Sequence, residues 1–303
     1  METHIVIVNG TEYSLYKNYQ DHEKLRLKFN TMTRNFWGFD FENYYQSTFW
    51  DDTCCIYTLF SDGEIVAHTT LTLFKTQLHS KEMLLAQLGT VMTAEKHQRK
   101  GLARFLMEYI QGEWADKVDG MFLFANDTVT EFYPKFGFVP VEEFQASLNG
   151  VFANTGQIIQ QLNLDRSSDL ELFENYVEQS IPTAALNTNN KGLAFFYTYA
   201  YPEFGYKQAI YFLEQLKTIA VAEMEENTLN IVQLYQLESC PIENVISALA
   251  HTPVTNVRFG FTPLGLNTPF ERYKDEDLTL FVSENLAAVF KQQQLMIPLL
   301  SHT

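Results

Sequence analysis

Four basic side chains gather around one glycine in the stretch "TAEKHQRKGLARFLMEYI", residues 93–110 of a chain whose formal net charge is -16. The four are Lys96, Arg99, Lys100 and Arg104. The first turn of a helix has unpaired N–H groups and the positive end of the macrodipole, so it stabilises an anion. Gly101 and the small Ala103 would let a ligand approach the backbone closely. The stretch therefore fits a diphosphate, and a solvated basic loop is the alternative.

The residues after this loop predict an amphipathic helix. Apolar residues fall at i, i+3, i+4, i+7 and i+8, at Leu102, Phe105, Leu106, Tyr109 and Ile110. The run "MLLAQLGTVM" before the loop and "GMFLFAND" after the helix read as strands. The basic loop is therefore expected to join a strand to a helix, which is the position that an anion site of this kind requires.

Other elements surround this unit. "HIVIVNG" reads as a strand, a helical and then aromatic region follows, and "CCIYTLF" and "IVAHTTLTLF" form a hairpin signal around Gly63. "TVTEFYPKFG" reads as a short helix ended by Gly137, and "FVPV" reads as the final strand of the unit. The pattern predicts an α/β fold with a mixed sheet and helices on both faces.

The order of elements restarts near residue 150. "DLELFENYVEQ" and "PIENVISALAH" are helical, and "AIYFLEQ", "IAVAEME", "IVQLYQL" and "VTNVRFGFTP" are strand-like. We expect two domains, 1–148 and 149–303, the second being a degenerate copy that supports the first and shapes its cleft. Its corresponding loop, "ESCPIENV", has no glycine or basic residue and contains Pro241, so no diphosphate is expected there. An unrelated α+β domain is the alternative.

Composition excludes several classes of function. Asp and Glu number 37 against 21 Lys and Arg, which argues against a nucleic-acid partner because phosphate binding needs a basic face. Three cysteines, two of them adjacent, suit neither a disulfide framework nor a metal site and indicate a reducing compartment. Without a leader or a membrane-length apolar run, we expect a cytoplasmic monomer or homodimer with no metal and no membrane partner.

Two motifs resemble a known family. The spacing Gln98-x-x-Gly101-x-Ala103 between a strand and a helix is similar to the acyl-CoA loop of the GCN5-related N-acetyltransferase (GNAT) superfamily. About thirty residues later, "FANDTVTEFYPKFGF" places Asn126 seven residues before Tyr133, which resembles the spacing in the family between a strand asparagine and the tyrosine of its "FYxKxGF" element. The resemblance covers roughly residues 1–145, and a weaker one suggests tandem copies of the fold with one active half.

The resemblance implies that acetyl-CoA is the cosubstrate and that an amine is acetylated by direct attack. The pyrophosphate would lie on the N–H groups of Arg99 to Ala103. The end of the strand before the loop, near Val91 and Thr93, would pair its backbone with the pantetheine arm. Asn126 and Tyr133 would flank the thioester, with Tyr133 as general acid. The residues so assigned to cofactor binding are Val91, Met92, Thr93, Gln98, Arg99, Lys100, Gly101, Leu102, Ala103 and Asn126.

The general base and the acceptor stay open. "MLLAQLGTVM" has no carboxylate, so the base must come from elsewhere. Three candidates are a water held by Gln87, the imidazole of His68 and the carboxylate of Asp127. An aromatic cluster lies where the family builds its acceptor wall, with core packing as the alternative: Phe36, Trp37, Phe39, Phe41, Tyr44, Tyr45, Phe49 and Trp50. The acceptor is expected to be a small amine or peptide.

Two other functions compete with an N-acetyltransferase. A non-catalytic acyl-CoA-binding regulator would keep "QRKGLA" but would tolerate the loss of the Tyr133 hydroxyl. An aminoacyl or peptidyl transferase would need a basic surface for tRNA, which the net charge of -16 opposes.

Overall fold

The computed structural model describes residues 1–78, 80–154, 156–201, 205–275 and 277–302, which form two β-sheets. Within these ranges the first sheet contains β1 (Glu2–Val8), β2 (Thr11–Lys17), β3 (Cys54–Ser61), β4 (Glu64–Leu78), β5 (Lys81–Thr93), β6 (Gly120–Asn126), β7 (Phe138–Pro140), β10 (Leu186–Asn189) and β16 (Leu278–Ser283). The second sheet contains β8 (Glu143–Phe152), β9 (Gln160–Gln161), β11 (Ile210–Leu213), β12 (Thr218–Glu225), β13 (Thr228–Gln236), β14 (Val254–Phe259) and β15 (Phe270–Tyr273). The α-helices are α1 (Glu23–Trp37), α2 (Glu42–Gln46), α3 (Leu102–Trp114), α4 (Ser167–Gln179), α5 (Lys191–Phe195), α6 (Ile242–Leu249) and α7 (Glu284–Gln293).

The two sheets share one pattern of strand pairing. In the first, β5 and β6 are parallel, and β16 lies antiparallel between β6 and β7. In the second, β13 and β14 are parallel, and β8 lies antiparallel between β14 and β15. Helix α3 joins the first parallel pair, and α6 joins the second. The mixed α/β fold and the second, similar sheet therefore agree with the expectation from sequence.

Strands pair across the two parts of the chain, and the first sheet receives both β10 and β16 from the second part. The strand β8 follows β7 almost directly but pairs in the second sheet, while β16 comes from near the C-terminal end and pairs in the first. The strand β7, which corresponds to "FVPV", lies at the edge of the first sheet, and β16 is inserted between it and β6. A chain cut at residue 148 would leave β6 and β7 without the strand between them, and the division at that residue stays a prediction.

The helix α3 is fixed by its apolar face. Leu102, Leu106, Met107 and Ile110 are buried against the first sheet, in one cluster with Leu88 and Leu123 of β5 and β6. Burial of each such side chain contributes about 1.5–3 kcal/mol. The start of this helix is therefore held firmly at the ends of the two parallel strands.

Aromatic packing covers the opposite face of the sheet. The ring of Phe41 lies between those of Phe29 on α1 and Phe196, with centroids 5.4 and 5.6 Å apart. Phe49 stacks on Phe195 at 3.8 Å. Phe196 belongs to a π-helical turn, Phe196–Ala200, that continues α5. Most of the predicted aromatic wall therefore packs against the second half of the chain, whereas Phe36 and Trp37 remain 45% and 39% exposed.

A buried carboxyl lies at the start of β8, the strand that leaves the first sheet for the second. Glu143, the first residue of β8, is 6% exposed, and its Oε1 accepts a hydrogen bond from the Ile297 N–H at 2.9 Å. Burial raises the pKa of this carboxyl to about 8, the Ile297 N–H opposes that shift, and the negative charge of Asp275 adds to it. Glu143 is therefore largely protonated at neutral pH.

We expect this carboxyl to make the protein less stable as pH rises. The pKa of Glu143 is 4.5 in the unfolded chain and about 8 in the folded protein. Its contribution to the free energy of unfolding is therefore fully present below pH 4.5 and is lost as the pH rises through about 8. The loss is of the order of 1.4 kcal/mol for each pH unit in that window. Glu143→Gln keeps an oxygen for the Ile297 N–H and removes the titration. Urea unfolding between pH 5 and pH 8 should show a flatter dependence for this variant, and the exposed Glu243→Gln should behave like the parent. Parallel curves for Glu143→Gln and the parent would contradict the assignment.

Candidate functional site

The two parallel strands of the first sheet separate at their carboxyl ends. Pairing between β5 and β6 runs from Leu85 with Gly120 to Leu88 with Leu123, but β5 continues to Thr93 and β6 to Asn126. The last residues of both strands thus border a gap in the sheet. Unpaired strand edges can pair with an extended ligand through their backbone groups.

A bulge distorts β5 beside this gap. On the side of β4, Gly89 pairs with Thr70 and Met92 with His68, so Thr90 and Val91 face a single residue of the partner. Thr90 has a positive φ of 44°, and its hydroxyl donates to the Thr70 hydroxyl at 2.8 Å. Bulges commonly occur next to active sites, where they redirect backbone groups. Val91, Met92 and Thr93 all border the gap, and the side chain of Met92 is buried.

The loop after β5 presents free backbone donors. For the N–H groups of Arg99, Lys100, Gly101, Leu102 and Ala103, no acceptor is found in the described part of the chain. The helix α3 has no side-chain cap among those residues and no acidic residue in its first turn. Free donors at the positive end of a helix are the groups that bind an anion in proteins, so this loop is a candidate anion site.

The conformation of the loop requires the glycine. Gly101 has a φ of +81°, in the left-handed region, and Arg99 also lies there with φ +62°. A Cβ at Gly101 would stand 2.7 Å from Nδ2 of Asn9. Lys96, Gln98, Arg99 and Lys100 are exposed around the loop, and Nζ of Lys100 lies 3.5 Å from Nδ1 of His97.

The turn between β1 and β2 supports the same loop. Nδ2 of Asn9 donates to the carbonyl of Lys100 at 2.9 Å, and Asn9 itself adopts a positive φ of 50°. Nothing in the sequence signals this contact, because the two residues lie about ninety positions apart. Asn9 therefore positions the loop from outside the motif.

We expect Asn9→Gly to weaken acetyl-CoA binding while leaving the chemical step intact. Glycine accepts the positive φ of this turn but removes the hydrogen bond, which is worth roughly 0.5–1.5 kcal/mol. The KM for acetyl-CoA should rise about threefold to tenfold, with little change in kcat. Glu226→Gly makes the same kind of change in the turn between β12 and β13, where φ is +52°, and should leave both constants unchanged. A normal KM in Asn9→Gly would show that the loop keeps its shape without this contact.

Tyr133 lies in a short 3₁₀ turn, Tyr133–Phe136, after β6. Its ring is buried in the same cluster as Leu102 and Leu106 of α3, and Phe281 of β16 packs 5.7 Å away. Gln111 of α3 donates to the Phe136 carbonyl at 2.8 Å and so ties the turn to the helix. Burial raises the pKa of Tyr133 to about 12. Within the described residues its hydroxyl has no hydrogen-bond partner, which leaves it available to a ligand.

The end of β6 brings Asn126 and Asp127 to different surroundings. Asn126 is exposed at the last position of the strand, opposite Leu278 of β16. Asp127 accepts hydrogen bonds from Lys274 at 2.5 Å and Thr279 at 2.7 Å. Those two bonds, with the Lys274 charge, lower the pKa of Asp127. A carboxylate held in this way is a poor proton acceptor, so the geometry argues against Asp127 as the base.

His68 is enclosed in a buried chain of hydrogen bonds. Its Nδ1 lies 2.7 Å from the Thr58 hydroxyl, which lies 2.8 Å from the Tyr19 hydroxyl, and all three side chains are fully buried. Burial lowers the pKa of His68 to about 3, so the ring is neutral. If Tyr19 donates to Thr58 and Thr58 donates to Nδ1, only the Nε2–H lacks a partner among the described residues. If Nδ1–H donates to Thr58 and Thr58 donates to Tyr19, both Nε2 and the Tyr19 O–H lack one, which costs more. The favoured tautomer offers a donor at Nε2, which argues against a base.

Gln87 is the remaining candidate from the sequence for handling the acceptor proton. It is fully buried on β5, between Thr72 of β4 and Phe122 of β6 in the strand register. His302 also reaches this part of the sheet, since its ring centroid lies 4.0 Å from that of Phe124 on β6. In the described residues no group of three or more His, Cys, Asp or Glu could hold a metal ion. Nor does any described helix combine the length and apolarity needed to cross a bilayer.

Comparison with known proteins agrees with this geometry. The Acetyltransferase (GNAT) domain family matches residues 29–141, a span that includes the gap, the loop and Tyr133. No curated protein matches the chain.

Three solved structures resemble the whole chain in fold. A probable N-acyltransferase of unknown function from Enterococcus faecalis V583 is 11% identical with a TM-score of 0.58, over 90% of this chain and 72% of that one. Eis1 from Mycobacterium abscessus is 13% identical with a TM-score of 0.53, over 92% and 73%. A GCN5-related N-acetyltransferase from Kribbella flavida is 14% identical with a TM-score of 0.50, over 88% and 71%. At such identities the likeness is one of fold, and it extends to the part of the chain beyond the matched domain. Residues 29–141 of this chain therefore match the Acetyltransferase (GNAT) domain family and lie within a larger two-sheet fold.

Proposed function

We propose that the protein transfers an acetyl group from acetyl-CoA to a primary amine by direct attack in a ternary complex. One observation carries the proposal: the gap between β5 and β6 opens beside five free backbone donors and the buried ring of Tyr133. The pyrophosphate would lie on the N–H groups of Arg99 to Ala103, with Gln98 and Lys100 beside it. The pantetheine arm would pair with the edge of β5 from Val91 to Thr93, and Asn126 would border the thioester.

The reaction needs no covalent intermediate on the protein. The amine nitrogen attacks the carbonyl carbon of the thioester, a C–N bond forms, and the C–S bond then breaks to release the CoA thiolate. A backbone N–H near Val91, at the bulge, would stabilise the developing oxyanion. Cys54 and Cys55 are unsuited to an acyl-enzyme, because burial raises the pKa of their thiols to about 12 and about 11.

Tyr133 would stabilise the departing sulfur. A thiol of pKa about 8.5 is a stronger acid than this buried phenol, so complete proton transfer to the thiolate is uphill by several kcal/mol. A hydrogen bond from the phenol to the sulfur in the transition state avoids that cost and still lowers the barrier. Since the hydroxyl has no partner among the described residues, it can make this bond without breaking another.

The acceptor must lose a proton before or during attack. A primary alkylamine of pKa about 10.4 requires about 4–5 kcal/mol to become neutral at pH 7. Asp127 is bound to Lys274, and His68 offers a donor rather than an acceptor, so we assign the proton to a water held at Gln87. The route is consistent with a strand that lacks a carboxylate.

The function is tested by following free thiol release from acetyl-CoA across a library of amines. Amine-dependent release, together with an acetylated product, would support the proposal. Binding of acetyl-CoA without release for any amine would instead favour a non-catalytic acyl-CoA-binding regulator. A failure to bind acetyl-CoA at all would overturn both functions.

A further inference from the structure

A cavity of about 480 Å³ lies where the exchanged strands cross, next to the end of β6. Leu278 and Thr279 of β16 form part of its wall, and these residues pair with Asn126 and Ala125. Neighbouring strands are about 4.8 Å apart, so one strand spacing separates the cavity from the end of the gap. Its volume suits a small organic ligand. The cavity therefore lies beside the end of β6, and a molecule that extends to it from the acetylation site would pass around that end.

Glu143 is the acidic group of this cavity that no described cation neutralises. It lines the wall beside Tyr273, its partner across β8 and β15, and its one hydrogen bond within the described chain comes from the Ile297 N–H. Burial and the nearby charge of Asp275 both disfavour its ionised form. A bound cation would offset both effects by supplying an opposite charge inside the cavity.

The basic residues of the cavity are already paired. Arg272 contacts Glu142 at 2.6 Å, and Lys274 contacts Asp127 at 2.5 Å. Neither cation is directed to Glu143 by these contacts. When Glu143 ionises, neither of these two cations therefore offsets its charge.

We propose that this cavity is a subsite of the acceptor site, in which Glu143 binds a second ammonium group of a diamine or polyamine. The inference rests on the proposed N-acetyltransferase function for the first amine, which would lie at the gap near Asn126. The apolar walls formed by Val141, Leu278 and Leu280 would contact the methylene chain between the two nitrogens. Binding converts the protonated carboxyl of Glu143 into a carboxylate paired with the ammonium, and one proton passes to the buffer.

The first test uses hexamethylenediamine as the probe, with hexylamine as its matched monoamine. Calorimetric titration at pH 7 in two buffers of different ionisation enthalpy should reveal release of close to one proton when the diamine binds, and none with hexylamine. Glu143→Gln should abolish that release, whereas the exposed Glu243→Gln should retain it. No proton release by the parent protein on diamine binding would overturn the subsite.

The second test measures acetylation of the same two amines. Glu143→Gln should raise the KM for hexamethylenediamine about tenfold or more and leave the KM for hexylamine unchanged. Val141→Phe narrows the cavity and keeps the carboxyl, so it should also raise the KM for hexamethylenediamine and leave the KM for hexylamine unchanged. This variant replaces Glu143→Gln in the test if Glu143→Gln does not fold. Equal effects on both amines, or on neither, would contradict the inference while leaving the acetyltransferase intact. Proton release without acetylation of any amine would support the subsite and reject the proposed reaction.

Discussion

Gly101→Glu is expected to abolish acetyl-CoA binding in calorimetric titration, with a Kd at least about a hundredfold weaker. Three effects act together. A side chain at φ +81° is strained by about 1–2 kcal/mol, and its Cβ would stand 2.7 Å from Nδ2 of Asn9. The added carboxylate would also repel the diphosphate at the donors of Arg99 to Ala103. Each effect acts on the backbone that would hold the ligand, so the loss should appear in Kd before any chemistry.

The matched control lies on the same helix. Gly112→Glu makes the same substitution in α3, where the glycine is exposed, lacks a positive φ and has no atom within 4 Å of an added Cβ. It should bind acetyl-CoA as the parent does. Circular dichroism should show that both variants fold. Equal affinity of Gly101→Glu and Gly112→Glu would remove the loop from the cosubstrate site.

Tyr133→Phe is expected to lower kcat by about a hundredfold or more and to leave the KM for acetyl-CoA almost unchanged. The ring would keep its packing against Phe132 and Phe281, so the fold and the binding site should survive. The hydroxyl would act on the sulfur only as the C–S bond breaks, so its loss should appear in kcat. A single preorganised hydrogen bond to a developing charge commonly contributes a factor of roughly 10²–10³.

A second tyrosine distinguishes this role from packing. Tyr109 of α3 is half-buried near Phe105 and Tyr57, and its ring contacts are comparable. Tyr109→Phe should leave both constants close to those of the parent. Product formation by Tyr133→Phe at the parent rate would exclude the phenol from catalysis and would favour water as the proton donor to the thiolate.

Local sequence patterns predicted the central unit of the fold. The run "MLLAQLGTVM", the helix after Gly101 and the strand "GMFLFAND" correspond to β5, α3 and β6. These elements could be read from the chain because hydrophobic periodicity and the glycine act within a few residues. For the same reason Tyr133 was placed in a short helical turn ended by Gly137, which has a φ of 80°.

Other elements near the site were missed. The strand β2, which lies before the helical region, was not predicted, and neither was β10, which pairs with β4. The contact of Asn9 with Lys100, the ring of Phe281 against Tyr133 and the bonds of Lys274 and Thr279 to Asp127 all join distant segments. A lone asparagine in a turn or a phenylalanine in a strand has the same local pattern whether or not it reaches a functional site.

The sequence by itself determined the strand, the glycine loop and the helix start whose backbone amides we propose to hold an anion, because these elements are set by neighbouring residues. Only the tertiary structure decided which strand completes the sheet beside Tyr133 and what surrounds Glu143. The reason is that β6 pairs with a strand more than 150 positions away, and hydrogen bonding between strands depends on partners that no local pattern specifies. The same long-range pairing buries Glu143 and thereby sets its protonation.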